Sequence, residues 1–142
     1  MSEVVAVDLK NQLSEIARLA RTVDDFGRRH QIDVKTIHNM KLALDEILTN
    51  VISYGYDDAG EHHITARFSV EQGKWTAEVE DGGKPFDPLT SPEADTKQSL
   101  VARPVGGMGI HLVRKLTDEL EYRRQNDKNR LVMRINLKGP RP

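Results

Sequence analysis

Glu46 and Asn50 lie four residues apart in the run Glu46-Ile47-Leu48-Thr49-Asn50, inside a stretch with strong helical periodicity. On a helix that spacing puts a carboxylate and an amide on one face, one above the other. Such a carboxylate can accept a proton from an attacking hydroxyl. The amide oxygen suits Mg²⁺, a hard cation that keeps waters and substrate phosphates as its other ligands. A second group, Asp81-Gly82-Gly83, ends a strand-like run, and its glycines let a ligand approach the backbone closely. A third, Gly106-Gly107-Met108-Gly109-Ile110, opens another helix. Free backbone N–H groups and the positive end of the helix dipole suit a phosphate there. Each group has a plain reading on its own: a solvated polar stripe, a strand-ending turn, a glycine loop. Their order along one chain gives them more weight together than singly.

The elements that must position these groups are legible in the apolar periodicity. Val5, Val7 and Leu9 alternate with Ala6 and Asp8, which predicts a short strand over Val4 to Leu9. Leu13, Ile16, Leu19, Ala20, Val23 and Phe26 form a helical stripe within Asn11 to Arg29. Asp33 is the expected N-cap of a second helix, with Ile37, Met40, Leu44, Ile47, Leu48 and Val51 on one side and Gly55 at its end. The period then changes to two. Ile64, Ala66, Phe68 and Val70, a Gln72-Gly73 turn, and Trp75, Ala77 and Val79 predict an antiparallel hairpin. Lys84 to Val105 has neither period and holds four of the six prolines, so it reads as a functional or disordered segment. A short helix is expected over Met108 to Thr117. A last hairpin follows, Leu120 to Arg124 and Leu131 to Leu137, around Asn126-Asp127-Lys128-Asn129. The string β-α-α-β-β-loop-α-β-β predicts a two-layer α+β sandwich, one sheet face covered by helices.

Composition narrows the class. A chain of 142 residues is most simply one domain, spanning 1–142, and a chain of that size buries roughly 68–70% of its unfolded surface. A net charge of −1 gives no general attraction to nucleic acid. The absence of cysteine excludes disulfides, thiol catalysis and Cys-ligated zinc. Met1 to Leu9 lacks a basic n-region and a long apolar run, and no stretch approaches the ~18 apolar residues of a membrane span. A cytoplasmic protein is expected. His62-His63 and the scattered His30, His38 and His111 lack carboxylate-rich metal spacing and read as surface residues. Arg123, Arg124, Lys128 and Arg130 read as a solvated hairpin.

The three groups, in this order and on these elements, resemble the N, G1 and G2 boxes of the GHKL (histidine-kinase-like) ATPase superfamily. The chain is most similar there to the small single-domain anti-sigma-factor serine/threonine kinases. Lys84-Pro85-Phe86-Asp87-Pro88 continues in the family's manner. Neither a Walker A motif nor a Rossmann fingerprint is present. The resemblance implies a Bergerat-type sandwich with a mixed, mostly antiparallel sheet and a nucleotide lid at about 84–106. It implies ATP and Mg²⁺ as cofactors, Glu46 as the catalytic base and Asn50 as the Mg²⁺ ligand. Asp81 and Gly83 would form the adenine site, with Gly106, Gly107, Met108, Gly109 and Ile110 at the phosphates and lid. A carboxylate can accept from the adenine amino group but not from the guanine carbonyl at the equivalent place. Implied partners are a sigma factor and a small STAS-type anti-anti-sigma antagonist phosphorylated on serine or threonine. The resemblance leaves room for a homodimer and implies no direct nucleic-acid or membrane contact. A nucleotide-gated binding module without transfer, or a detached sensor-kinase ATPase domain, would carry the same motifs. The chain departs from the fuller family pattern at Val105, where a glycine is usual, and at Asn129-Arg130, where Gly-Thr or Thr-Thr often stands.

Overall fold

The computed structural model describes residues 3–85 and 107–137. The described elements run β1 (Val4–Lys10), α1 (Ser14–Arg29), α2 (Val34–Tyr54), β2 (His63–Glu71), β3 (Lys74–Asp81), α3 (Gly107–Leu116), β4 (Glu119–Gln125) and β5 (Lys128–Asn136). The strands form one sheet in the order β1-β2-β3-β5-β4. Every described pairing is antiparallel, where a mixed, mostly antiparallel sheet was expected. The physical reason is the last hairpin. The strands that α3 joins, β3 and β4, do run in the same direction, but β5 folds back between them and pairs with both.

Both hairpins close with two-residue turns. Gln72 (φ 53°) and Gly73 (φ 74°) make the first, and Asn126 (φ 56°) and Asp127 (φ 60°) the second. Positive φ at both central residues is the type I′ signature, whose twist matches that of the flanking strands. The second turn corrects the sequence reading. Lys128 and Asn129 belong to the strand, and β5 begins three residues before Leu131.

One face of the sheet is apolar. The register aligns Leu9, Ile64 and Asp81 in one row, Val7, Ala66, Val79, Leu131 and Tyr122 in the next, and Val5, Phe68, Ala77, Met133 and Leu120 in a third. α1 and α2 supply the other half of the core through Leu19, Val23, Phe26, Ile37, Met40, Leu44, Ile47 and Leu48. Trp75, fully buried, stacks on Phe26 at 5.9 Å between ring centroids. Burying side chains of this size stabilises the fold by about 1.5–3 kcal/mol each. The opposite face carries a charge ladder. Arg67 pairs with Glu78, and Arg130 with both Glu80 and Glu78, across neighbouring strands. These pairs are half-buried, and they keep this face polar.

The helix ends explain the placement of the site. Asp33 caps α2 as expected, accepting from the Thr36 amide at 3.2 Å and the Thr36 hydroxyl at 2.6 Å. α1 begins at Ser14 instead of Asn11. The Asn11 side chain is engaged elsewhere, donating to the Gly60 carbonyl and accepting from the His62 amide. α2 does end at Gly55, yet Gly55 stays right-handed at φ −74°. A glycine is needed there because a Cβ at this position would stand 2.5 Å from the Val51 carbonyl oxygen.

Candidate functional site

α2 carries the first group. Ala43, Leu44, Ile47 and Leu48 fix which side of the helix faces the core, and Glu46 lies half-buried at the border of that stripe. Asn50, one turn on, is only 8% exposed, and its Oδ1 is buried with no hydrogen-bond partner among the described residues. An unmet buried acceptor costs about 1–3 kcal/mol, so native chains seldom keep one without a use. A neutral amide oxygen held in this way is a fitting ligand for a hard cation.

The Asp81 end is built by the sheet. Asp81, Asn129 and Arg124 are successive cross-strand partners on β3, β5 and β4, on the face the helices cover. They replace the apolar rows with a polar one at the sheet's end. Asn129 donates through Nδ2 to Asp81 Oδ1 at 3.0 Å, to Oδ2 at 3.3 Å and to the Lys84 carbonyl at 2.8 Å. The Tyr122 hydroxyl donates to Asn129 Oδ1. Arg124 donates to the Gly83 carbonyl at 2.7 Å. Burial pushes the Asp81 carboxyl above its ordinary value, against the lowering effect of Asn129, the Gly83 amide and Arg124. Asp81 is 4% exposed, so its charge depends on these donors.

Gly83 and Gly55 meet backbone to backbone. A Cβ on Gly83 would stand 2.5 Å from the Gly55 carbonyl oxygen, and the Lys84 amide donates to that same oxygen at 2.8 Å. Gly83 therefore joins the end of β3 to the end of α2, whereas a Cβ on Gly82 would meet nothing within 4 Å. Just past the α2 terminus, burial and the Asp81 charge raise the pKa of Tyr56. Its hydroxyl is buried without a hydrogen-bond partner among the described residues, the Gly82 amide lying near but outside bonding geometry. The Tyr56 ring stacks on His62 at 4.0 Å, and His62 bonds Asp58 at 2.8 Å. His62 is thus a packing residue, while exposed His63 pairs with Asp8. Among the described residues no group of three or more His, Cys, Asp or Glu is placed to hold a metal.

The backbone of Gly107, Met108, Gly109 and Ile110 forms the first turn of α3, as the glycine pattern required. Gly106 and most of the expected lid, residues 86–106, lie outside the described residues. α3 packs against α2, so α2 touches both the glycine-opened helix and, through Gly55, the Asp81 end. Sequence reasoning gave no role to Tyr122, Arg124 or Tyr56, and it met Asn129 only as a departure from the family pattern. The parity of Asn129 along β5 matches the inward Leu131, Met133 and Ile135. The basic hairpin also divides: Lys128 and Arg130 pair with Glu80 on the wet face, and Arg124 turns inward to Gly83. No described helix is long and apolar enough to cross a membrane.

Residues 9–135 match the histidine kinase-like ATPase domain family. The chain is 27% identical over 125 residues to the serine-protein kinase RsbW of Bacillus velezensis, covering 84% of this chain and 77% of that one. It is 26% identical over 124 residues to the RsbW of Oceanobacillus iheyensis, again covering 84% and 77%. Among solved structures it superposes on the RsbU and RsbW domains of a Mycobacterium tuberculosis protein with a TM-score of 0.71 at 14% identity, over 97% of this chain. This chain spans 33% of that one. It also superposes on a histidine kinase domain from Erythrobacter litoralis with a TM-score of 0.55 at 21% identity, over 88% of this chain and 60% of that one. At these identities the solved structures establish the α+β fold.

Proposed function

The chain belongs to the histidine kinase-like ATPase domain family, and from that premise we propose that it is an ATP- and Mg²⁺-dependent protein serine/threonine kinase of a partner switch. In this reading it binds a sigma factor and holds it inactive. It alternatively binds a small STAS-type antagonist and phosphorylates a serine or threonine on it. The observation that carries the proposal is the buried Oδ1 of Asn50, without a hydrogen-bond partner among the described residues, one helical turn from the half-buried Glu46. Similarity to relatives named serine-protein kinase supports the choice of acceptor.

The roles follow from the chemistry. Asn50 would hold Mg²⁺, which when bound neutralises phosphate charge. Asp81 would accept from the adenine amino group, and the α3 N-terminus, with Gly107 and Gly109, would face the phosphates. Glu46 would take the proton from the acceptor hydroxyl as its oxygen attacks the γ-phosphorus and the bond to the bridging oxygen breaks, releasing ADP. Positioning and electrostatics do most of the work in phosphoryl transfer, so few catalytic side chains suffice.

Titration calorimetry tests the site. The wild type should bind ATP and ADP more tightly with Mg²⁺ than without it, and GTP poorly. Asn50→Ala should lose the Mg²⁺ dependence and keep the fold. Equal ATP and GTP affinities, or an Asn50→Ala protein with undiminished Mg²⁺-dependent binding, would overturn the assignment.

A further inference from the structure

We infer that Asn129, held by Tyr122, is the residue that positions the Asp81 carboxylate for the adenine amino group, so that this pair sets the preference for adenine over 6-oxopurine nucleotides. The inference rests on the ATP reading of the site and goes beyond it, because it assigns selectivity to two residues on β4 and β5 instead of to Asp81 alone.

Three observations carry it. First, the amide orientation of Asn129 is determined. The Tyr122 hydroxyl donates to Oδ1, which leaves Nδ2 turned towards Asp81. Second, the donors of Asn129 are spent. An amide nitrogen has two N–H groups; one goes to the Lys84 carbonyl and the other is shared across both Asp81 oxygens. Asn129 therefore has no N–H left for a base and acts through Asp81. Third, the near partners of the Asp81 carboxylate are donors, Asn129 and the Gly83 amide. They hold it as an acceptor with lone pairs remaining for one more donor. An exocyclic amine is that donor; a 6-oxo group is a second acceptor and is repelled.

The charged and titratable groups acting on Asp81 are Arg124 from β4, Tyr56 from the segment after α2, and Glu80, its neighbour along β3 on the wet face. Arg124 favours the carboxylate, while burial and Glu80 oppose it. Without the Asn129 donors the carboxyl would take a proton at higher pH. A protonated carboxyl can donate to a 6-oxo group, so selectivity would fall together with affinity.

The test compares wild type, Asn129→Leu and Tyr122→Phe. ATP and ITP, which differ at the purine 6-position, are titrated across pH, and the Asp81 carboxyl is followed by ¹³C NMR in the nucleotide-free protein. Wild type should prefer ATP. Asn129→Leu should weaken ATP binding by roughly 10- to 100-fold, the value of a hydrogen bond to a charged group. It should also shrink the ATP-to-ITP preference and move the Asp81 titration to higher pH. Tyr122→Phe, which removes one oxygen and frees the amide to turn, should shift all three readouts the same way by less; it carries the test if Asn129→Leu does not fold. Variants that keep the wild-type preference and Asp81 titration would overturn this inference and leave the ATP reading standing. A wild type that binds neither nucleotide would overturn both.

Discussion

Replacing Gly83 by alanine should uncouple the end of β3 from the end of α2, and the structure sets the size of the effect. The new Cβ would stand 2.5 Å from the Gly55 carbonyl oxygen and 3.1 Å from its carbon. Both are backbone atoms with no rotamer to escape into. Ordinary contact lies about 1 Å further out, so the two segments must part, straining or breaking the bond from the Lys84 amide to the same oxygen. Overpacking of this kind costs roughly 1–3 kcal/mol. For a domain of this length that lowers the melting temperature by roughly 3–10 °C. Gly82→Ala is the internal control: its Cβ meets nothing within 4 Å, and a Gly→Ala change in permitted geometry stabilises by about 0.4–1 kcal/mol. Thermal and urea denaturation followed by circular dichroism measure both variants. Because Asp81 and Tyr56 flank the junction, Gly83→Ala should also weaken nucleotide binding. A Gly83→Ala protein as stable as wild type, or a Gly82→Ala protein destabilised as much, would refute the reasoning.

Asp81→Asn should weaken ATP binding by roughly 10- to 100-fold. It should also change the pH dependence of stability. Burial raises the folded-state pKa of Asp81 above its ordinary 3.8, so the contribution of this carboxyl is favourable at low pH and is lost as pH rises through the raised value. The stability of Asp81→Asn relative to wild type should therefore improve between pH 4 and pH 8, as read by urea unfolding, and a relative decline over that range would contradict the burial argument. Glu15 behaves in the opposite sense. Bonds from Arg18 and the Lys10 amide lower its pKa to about 2, so its contribution is present above 4.5 and lost as pH falls towards 2. Glu15→Gln should melt below wild type at pH 7, with the deficit shrinking across that acid window; a deficit that persists at pH 2 would assign the effect to packing.

The order and kind of the elements were legible because each carries a strong period. The α1 stripe from Ile16 onward, the α2 stripe, the Ile64–Val70 alternation and the Asp33 cap reappear in the structure, while Leu13, expected in the α1 stripe, lies before the helix and is exposed. The start of β5 was not legible, for a reason tied to the site. Asn129 takes an inward position that the neighbouring rows fill with apolar residues, because it faces Asp81. That exchange interrupts the alternation and makes Asn126 to Asn129 look like one long turn. Tyr56 and the Gly55–Gly83 contact were hidden because they join segments far apart in sequence. The polar partners of Asp81 thus came from strands whose pairing the local pattern does not encode. Glu46 and Asn50 needed only the helical spacing, and α2 delivers it.

Transfer of labelled γ-phosphate to a STAS-type antagonist from the same genome, compared between wild type and Glu46→Gln, is the most direct measurement. The wild type should place acid-stable phosphate on serine or threonine of the antagonist in the presence of ATP and Mg²⁺. Glu46→Gln should still bind ATP and the antagonist while transferring roughly 10²–10⁴-fold more slowly, the usual contribution of a positioned base. Undiminished transfer by Glu46→Gln would remove the base from the account. A wild type that binds ATP but phosphorylates no such antagonist would make the domain a nucleotide-gated binding module instead of a kinase.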